Sequence, residues 1–348
     1  MSNSFGLQFR ITSFGESHGA ALGVVIDGCP AGVTWNESLL AQDLERRRPG
    51  ASALAGNAVV SPRQEMDQPE VLSGVFEGLT LGTPIAVTVR NQDARSQDYQ
   101  KIAKAPRAGH ADDVWREKFG HSDPRGGGRS SGRETLARVI GGAAAKMFLK
   151  SAAPDLRITG FSSRIGPFEV NANDEENFFA GPGDWVQQVD AHAARFISSR
   201  HDEVQSYLRG LQEKGDSVGG TVTVRVKGMP LSLGQPVFHK LKADLAAAMM
   251  SVGATSGFEI GAGFEASRAL GSEFHRGGEA VYGGIRGGIS TGEDLVLRVH
   301  FKPTSSILDV AKQGRHDPCI VPRAVPVIEA MTALVLADHV LLRRLDQI

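Results

Sequence analysis

Apolar positions divide the chain into short alternating stretches and a few longer helical ones. Strict alternation runs through Pro84–Asn91 (PIAVTVRN), Thr221–Lys227 (TVTVRVK) and Leu295–Phe301 (LVLRVHF). In the last of these Leu295, Leu297, Val299 and Phe301 share one face, the period of a half-buried antiparallel strand. Phe9–Ser13 and Leu22–Asp27 also read as extended, and the tight GESHG segment Gly15–Gly19 between them is predicted to be a loop. Helical spacing predicts helices over Thr135–Leu149, Val237–Met250 and Pro326–Leu342. In the last, Val327, Ala330, Met331, Leu334, Val335, Asp338 and Leu341 leave few breaks, so it is predicted to be deeply buried. Asp190–Glu213 reads as a polar helix closed by Gly215. These elements follow no βαβ rhythm, which predicts an α+β fold rather than a doubly wound sheet. No linker, repeat or low-complexity tract interrupts residues 1–348, so one domain is expected.

Composition narrows the classes of function. The 348 residues carry 38 Lys and Arg against 39 Asp and Glu, a formal charge of -1, which excludes a general nucleic-acid coat or a polybasic membrane binder. Any anion site must therefore be a local cluster. No basic leader precedes an apolar run, and no stretch reads as the roughly 18 apolar residues of a membrane span, so a cytoplasmic protein is expected. The two cysteines, Cys29 and Cys319, have neither disulfide-framework nor zinc spacing. The nearest approaches to a ligand set are His110, Asp112 and Asp113, or His316 and Asp317, and no metal is expected. The 42 glycines exceed the usual share and come in bursts, which suits close approach of backbone to a ligand.

Three basic clusters stand out. In Arg125–Thr135 (RGGGRSSGRET), Ser131 and Glu134 have capping-box spacing. A helix N-terminus, two hydroxyls, Arg125, Arg129 and Arg133 then converge as an anion site, against the plainer reading of a flexible loop. Lys302–Ser306 (KPTSS) follows a strand directly and lacks the GK[ST] of a Walker loop, so alone it reads as a polar turn. Arg46, Arg47 and Arg48 precede Pro49, and such a run is ordinarily solvated. Among the histidines, His18 and His110 lie on loops beside glycines, whereas His192, His239 and His339 read as helical. GESHG also satisfies G-x-S-x-G, which would make Ser17 a hydrolase nucleophile. A strand, not a helix, is expected after Gly19, which argues against an elbow.

The motifs GESHG, RRRPG, LSGVFEGLTLGTPIAVTVRNQDARSQDY, GHAD, RGGGRSSGRET, GDSVGG, GGIRGGISTG, KPTSS and GRHDPC together resemble the chorismate synthase family, in its order and along nearly the whole chain. The resemblance implies a β-α-β sandwich, antiparallel sheets packed on a central helical layer, assembled as a homotetramer. It implies a lyase of the shikimate pathway, the route to aromatic amino acids. The reaction is an anti-1,4-elimination of phosphate from 5-enolpyruvylshikimate 3-phosphate, giving chorismate. Reduced FMN is required without net redox change, and NADPH or an external flavin reductase would supply the reduced flavin.

By the same resemblance His18 is the acid at the departing phosphate, His110 stabilises the reduced flavin and Asp317 is the base on its N5 side. Flavin contacts fall on Arg129, Ser130, Ser131, Gly287 and Arg315, and on Lys302, Pro303, Thr304, Ser305 and Ser306. Gly253 and Ala254 belong to the same set, with Gly253 standing where the family usually has asparagine. Arg47, Arg48, Arg63, Arg107 and Arg133 are implied for substrate or nicotinamide.

Overall fold

The computed structural model describes residues 3–48, 67–91, 109, 111–123, 125–308 and 317–346. The chain opens with β1 (Ser4–Phe5), β2 (Arg10–Phe14) and β3 (Ala21–Asp27), followed by α1 (Glu37–Arg47). After β4 (Pro69–Val71) and the small hairpin β5 (Val75–Phe76) and β6 (Leu79–Thr80), β7 (Ile85–Arg90) completes an antiparallel sheet ordered β1-β2-β3-β7-β4. The alternation read from the sequence is what builds it: Ile85, Val87 and Val89 are wholly buried while the residues between them are not.

Next come α2 (Asp112–Phe119), two 3₁₀ turns at Arg125–Ser130 and Gly132–Glu134, and α3 (Thr135–Ala152). The second sheet begins with β8 (Arg157–Ile165) and β9 (Phe168–Glu169). The chain then runs through α4 (Ala172–Ala180), α5 (Trp185–Ala191) and α6 (His201–Lys214). It continues with β10 (Gly220–Lys227), α7 (Leu241–Met250), β11 (Thr255–Ile260) and the short α8 (Gly271–Phe274). The hairpin β12 (Ile285–Arg286) and β13 (Ile289–Ser290) leads to β14 (Leu295–Phe301), and α9 (Val321–Arg343) follows. This sheet is ordered β11-β14-β10-β8-β9, antiparallel throughout.

Helices α3 and α9 pack on each other between the sheets, α3 also against β2 and β3, and α9 against β8 and β10. Their approach requires a missing side chain, because a Cβ on Gly142 would lie 2.3 Å from that of Ala330. One apolar cluster spans both sheets and the helices between them. A smaller one, Phe161, Phe179, Val189 and Ile197, joins β8 to α4 and α5. The layered α+β arrangement is the one the resemblance implied.

Three predicted elements differ from the observed ones. The polar helix over Asp190–Glu213 is broken: α5 ends at Ala191, Ala194 and Arg195 adopt left-handed φ of 54°, and α6 starts only at His201 before closing on Gly215 as read. The break delivers Arg195 into the core. The helix read from Val237 begins at Leu241, because Gln235 N–H turns back to the His239 carbonyl and leaves Val237 and Phe238 exposed. His192 and His239 therefore flank helices, and only His339 lies within one.

Helix α9 starts five residues before the predicted Pro326, with Pro322 in its first turn, where a missing N–H costs nothing. Pro326 has no N–H for the Pro322 carbonyl, and the Arg195 guanidinium donates to that carbonyl instead. By length and composition α9 could cross a membrane, contrary to the sequence reading, since its charged residues are few enough to leave a mean hydropathy of 1.7. It serves instead as the core helix, with 89% of that window buried.

Candidate active site

Two groups of polar side chains form at the edge of the helical layer. The first surrounds the GESHG loop, which joins β2 to β3 and closes on a Gly19 N–H to Glu16 carbonyl bond of 2.9 Å. His18 and Ser17 are buried in it, at 5% and 4% exposure. Strand β3, not a helix, follows, so the nucleophile-elbow reading of Ser17 has no support. Asn91, at the end of β7, donates its amide to the Gly19 carbonyl at 2.7 Å and accepts Arg133 Nε at 2.8 Å. Arg129 donates to the Gly15 carbonyl at 3.0 Å and to the Ser13 hydroxyl at 2.5 Å. Arg129 and Arg133 thus frame the His18 loop.

Asp67 then ties this frame to α1. Its carboxylate takes Arg47 Nη2 at 2.6 Å on one oxygen and Arg133 Nη2 at 3.2 Å on the other. Within the GESHG loop, burial raises the Glu16 carboxyl above its usual range; the Arg129 charge opposes this and Asp123 adds to it. The Ser131 capping box does not form as read. Ser131 caps a single 3₁₀ turn by accepting the Arg133 N–H at 3.3 Å, and the Glu134 carboxylate is drawn to Arg138 Nε at 3.0 Å. Ser130 donates its hydroxyl to the Gly127 carbonyl at 2.6 Å.

The second group lies at the end of β14. Lys302 N–H donates to the Ala254 carbonyl at 3.0 Å, and its ammonium donates to the Gly109 carbonyl at 3.1 Å. Pro303 turns the chain, and the Thr304 hydroxyl donates to the Asp317 carbonyl at 3.0 Å. Ser305 lies beside Gly109, its Cβ 4.0 Å from where a glycine Cβ would stand. Asp317 accepts Arg323 Nη1 at 2.8 Å on one oxygen and the Cys319 N–H at 3.3 Å on the other. Asp317 is thus ion-paired, with Arg323 as its partner. Arg138, paired with Glu134, also donates to Ser251 Oγ at 2.6 Å, two residues before Gly253.

Several sequence-derived residues fall elsewhere. Arg48 ends α1 and pairs with Glu45 at 3.0 Å. Gly287 lies on the β12–β13 turn, whose Gly288 carbonyl takes the first N–H of α7. That places it near the first residue of α7. The described contacts therefore do not bring Gly287 to the other flavin candidates. His110, Arg63, Arg107 and Arg315 lie outside the described residues, as does His316. No group of three potential metal ligands occurs among the described residues. Asp67, Asn91 and Arg323 escaped the sequence reading. Only Asn91 carried a signal, as the polar end of an alternating strand.

The arginine run is not solvated, as its composition suggested, because tertiary partners override the local pattern: Arg46 and Arg47 are 4% and 2% exposed. Arg46 turns into the core, pairing with Glu329 of α9 at 2.5 Å and Asp190 at 2.6 Å. Lys146 and Asp43 complete the cluster at 2.8 Å, and Arg195 donates to Asp190 at 2.6 Å and to the Arg46 carbonyl at 3.0 Å. Burial alone would raise the Glu329 carboxyl, but Arg46, Lys146 and the Gly160 N–H bring it down to about 2.

With this geometry established, comparison with known proteins is decisive about family. A family model described as chorismate synthase matches residues 9–341. A chorismate synthase of Bdellovibrio bacteriovorus is 60% identical over 347 residues, covering 100% of this chain and 99% of that protein. One from Jannaschia sp. is 45% identical over 371 residues, covering 98% and 95%. A solved structure titled a crystal structure of chorismate synthase superposes with a TM-score of 0.77 at 32% identity, covering 98% of this chain and 93% of that one. The α+β sandwich is thus shared with a family of lyases. The chain belongs to the chorismate synthase family, and its place in metabolism is the shikimate pathway.

Proposed function

We propose that the chain eliminates phosphate from 5-enolpyruvylshikimate 3-phosphate to give chorismate, using reduced FMN. The observation that carries this reading is the convergence of residues 109, 254, 302 and 317 at one strand end. The donor set suits a flavin phosphate. Lys302 keeps two N–H donors beyond the one given to Gly109, and Ser305 lies near the same glycine. Thr304 has committed its single O–H to Asp317, so it orients the segment and does not donate. Gly253 has open space at its Cβ position, and Arg129 would contribute from the other side.

The chemistry that reduced FMN supplies when bound is a transient electron for an otherwise reluctant elimination, with no net oxidation. The protein binds and moves protons. Arg47 and Arg133, held in register by Asp67, would grip the substrate's phosphate and carboxylates. His18, enclosed by the GESHG turn, would protonate the departing phosphate oxygen, and Asp317 would serve as the base on the N5 side of the bound flavin. His110, beside Gly109, would stabilise the reduced ring. The same reading has a single-domain protomer working in the cytoplasm as a homotetramer, with NADPH or an outside flavin reductase supplying reducing equivalents.

An anaerobic assay with dithionite-reduced FMN and the enolpyruvyl substrate tests it. Chorismate and phosphate are expected in equal amounts with the flavin still reduced at the end, and absence of chorismate would refute the proposal. Repeating it with NADPH and oxidised FMN separates an intrinsic reductase from an external one.

A further inference from the structure

We propose that Arg323 is a positioning residue for Asp317, resting on the reading of Asp317 as the site's base. Arg323 stands in the first turn of α9, where the helix dipole disfavours a cation. Its Nε is buried without a hydrogen-bond partner, a further cost. A residue serving helix stability alone would be neutral or acidic there. What Arg323 does make is a 2.8 Å bond from Nη1 to one Asp317 carboxylate oxygen, between side chains 26% and 13% exposed.

The rest of the Asp317 environment leaves that bond a specific task. The Cys319 N–H binds the other oxygen at 3.3 Å, and the Thr304 hydroxyl holds the Asp317 carbonyl. These contacts fix the backbone and one carboxylate oxygen, and Arg323 supplies the second point that sets the plane of the group. The turn carrying Arg323 is itself held, because Arg195 supplies the Pro322 carbonyl with the donor that Pro326 lacks. Arg195 also binds the Arg46 carbonyl, one residue before Arg47. One buried guanidinium therefore references the base and a substrate arginine to the same frame.

The test uses R323Q, R323K, D317N and the double variant R323Q/D317N, assayed anaerobically with reduced FMN and saturating substrate. R323Q is expected to lower kcat about 10- to 100-fold, with KM and the FMN Kd within about twofold of the parent. R323K, keeping one charged donor, is expected to recover part of that loss. R323Q/D317N is expected to be no slower than D317N alone, as for two groups acting as a unit. An R323Q kcat within about twofold of the parent, with D317N impaired, overturns the inference and leaves the base assignment standing. Parental kcat in D317N overturns the base assignment itself. A fall in R323Q matched by weaker FMN binding, lower Tm and no gain in R323K marks a structural role and also overturns the inference. Should R323Q fail to fold, R323K alone decides: an intermediate kcat supports the inference and an unchanged one overturns it.

Discussion

Arg46 and Arg47 are neighbours in sequence, both buried, and they do different work. Arg46 faces inward to Glu329 and Asp190, carboxylates that are themselves fixed by α9 and by the break after α5. With Lys146, Arg195 and Asp43 these groups balance three positive against three negative charges inside the core. Arg47 turns outward to Asp67, which it shares with Arg133, and Arg133 leads through Asn91 to the loop of His18. The inward set closes on itself, whereas the outward set ends on loops able to meet a small anion. Burial of an arginine is therefore no guide to its role; the elements its partners belong to are.

The comparison can be broken most forcibly at Arg46. Arg46→Met strands Glu329 in the core and is expected to cost about 3–5 kcal/mol, read as a large fall in Tm or loss of folded protein, with KM of any surviving enzyme unchanged. Glu329→Gln tests the same cluster through pH. The folded carboxyl lies at about 2, below its ordinary 4.5, so its stabilisation is complete above pH 4.5 and is lost as pH falls toward 2. That acid-limb slope, on the order of 3 kcal/mol, should vanish from the denaturation profile of the variant.

The outward set should respond in kinetics. His18→Ala is expected to lower kcat by roughly 10² to 10⁴ with the circular dichroism spectrum unchanged, and parental turnover would remove the acid assignment. Arg47→Gln should raise the substrate KM about 10-fold or more, an effect Arg46 variants lack. The smallest change is expected of Gly253→Asn. Its Cβ position is open, so the amide should fit and tighten FMN by a few fold, on the order of one hydrogen bond, in a fluorescence titration.

Local patterns revealed what local physics controls. The alternation of β7, β10 and β14 was legible because one face of each strand is buried, and the GESHG loop followed from the strands beside it. The burial of Arg46 was not legible, since its partners Asp190 and Glu329 lie 144 and 283 residues away. The early start of α9 was hidden by two prolines, Pro322 in the first turn and Pro326, whose lost donor is replaced by Arg195, itself delivered by the break in the predicted polar helix. Site residues were legible where they sat in long motifs. Asp67 and Arg323 act through side-chain pairs that no local spacing marks.

The helix at the centre of the molecule is also the last described element to leave the ribosome. At about 5–20 residues per second, both sheets emerge seconds before α9 and wait with their inner faces uncovered. Arg46 and Lys146 meanwhile lack the Glu329 that later joins them. A nascent chain halted before Val321 would expose the faces of α3, β8 and β10 that this 23-residue helix covers, and would be a natural client for chaperones.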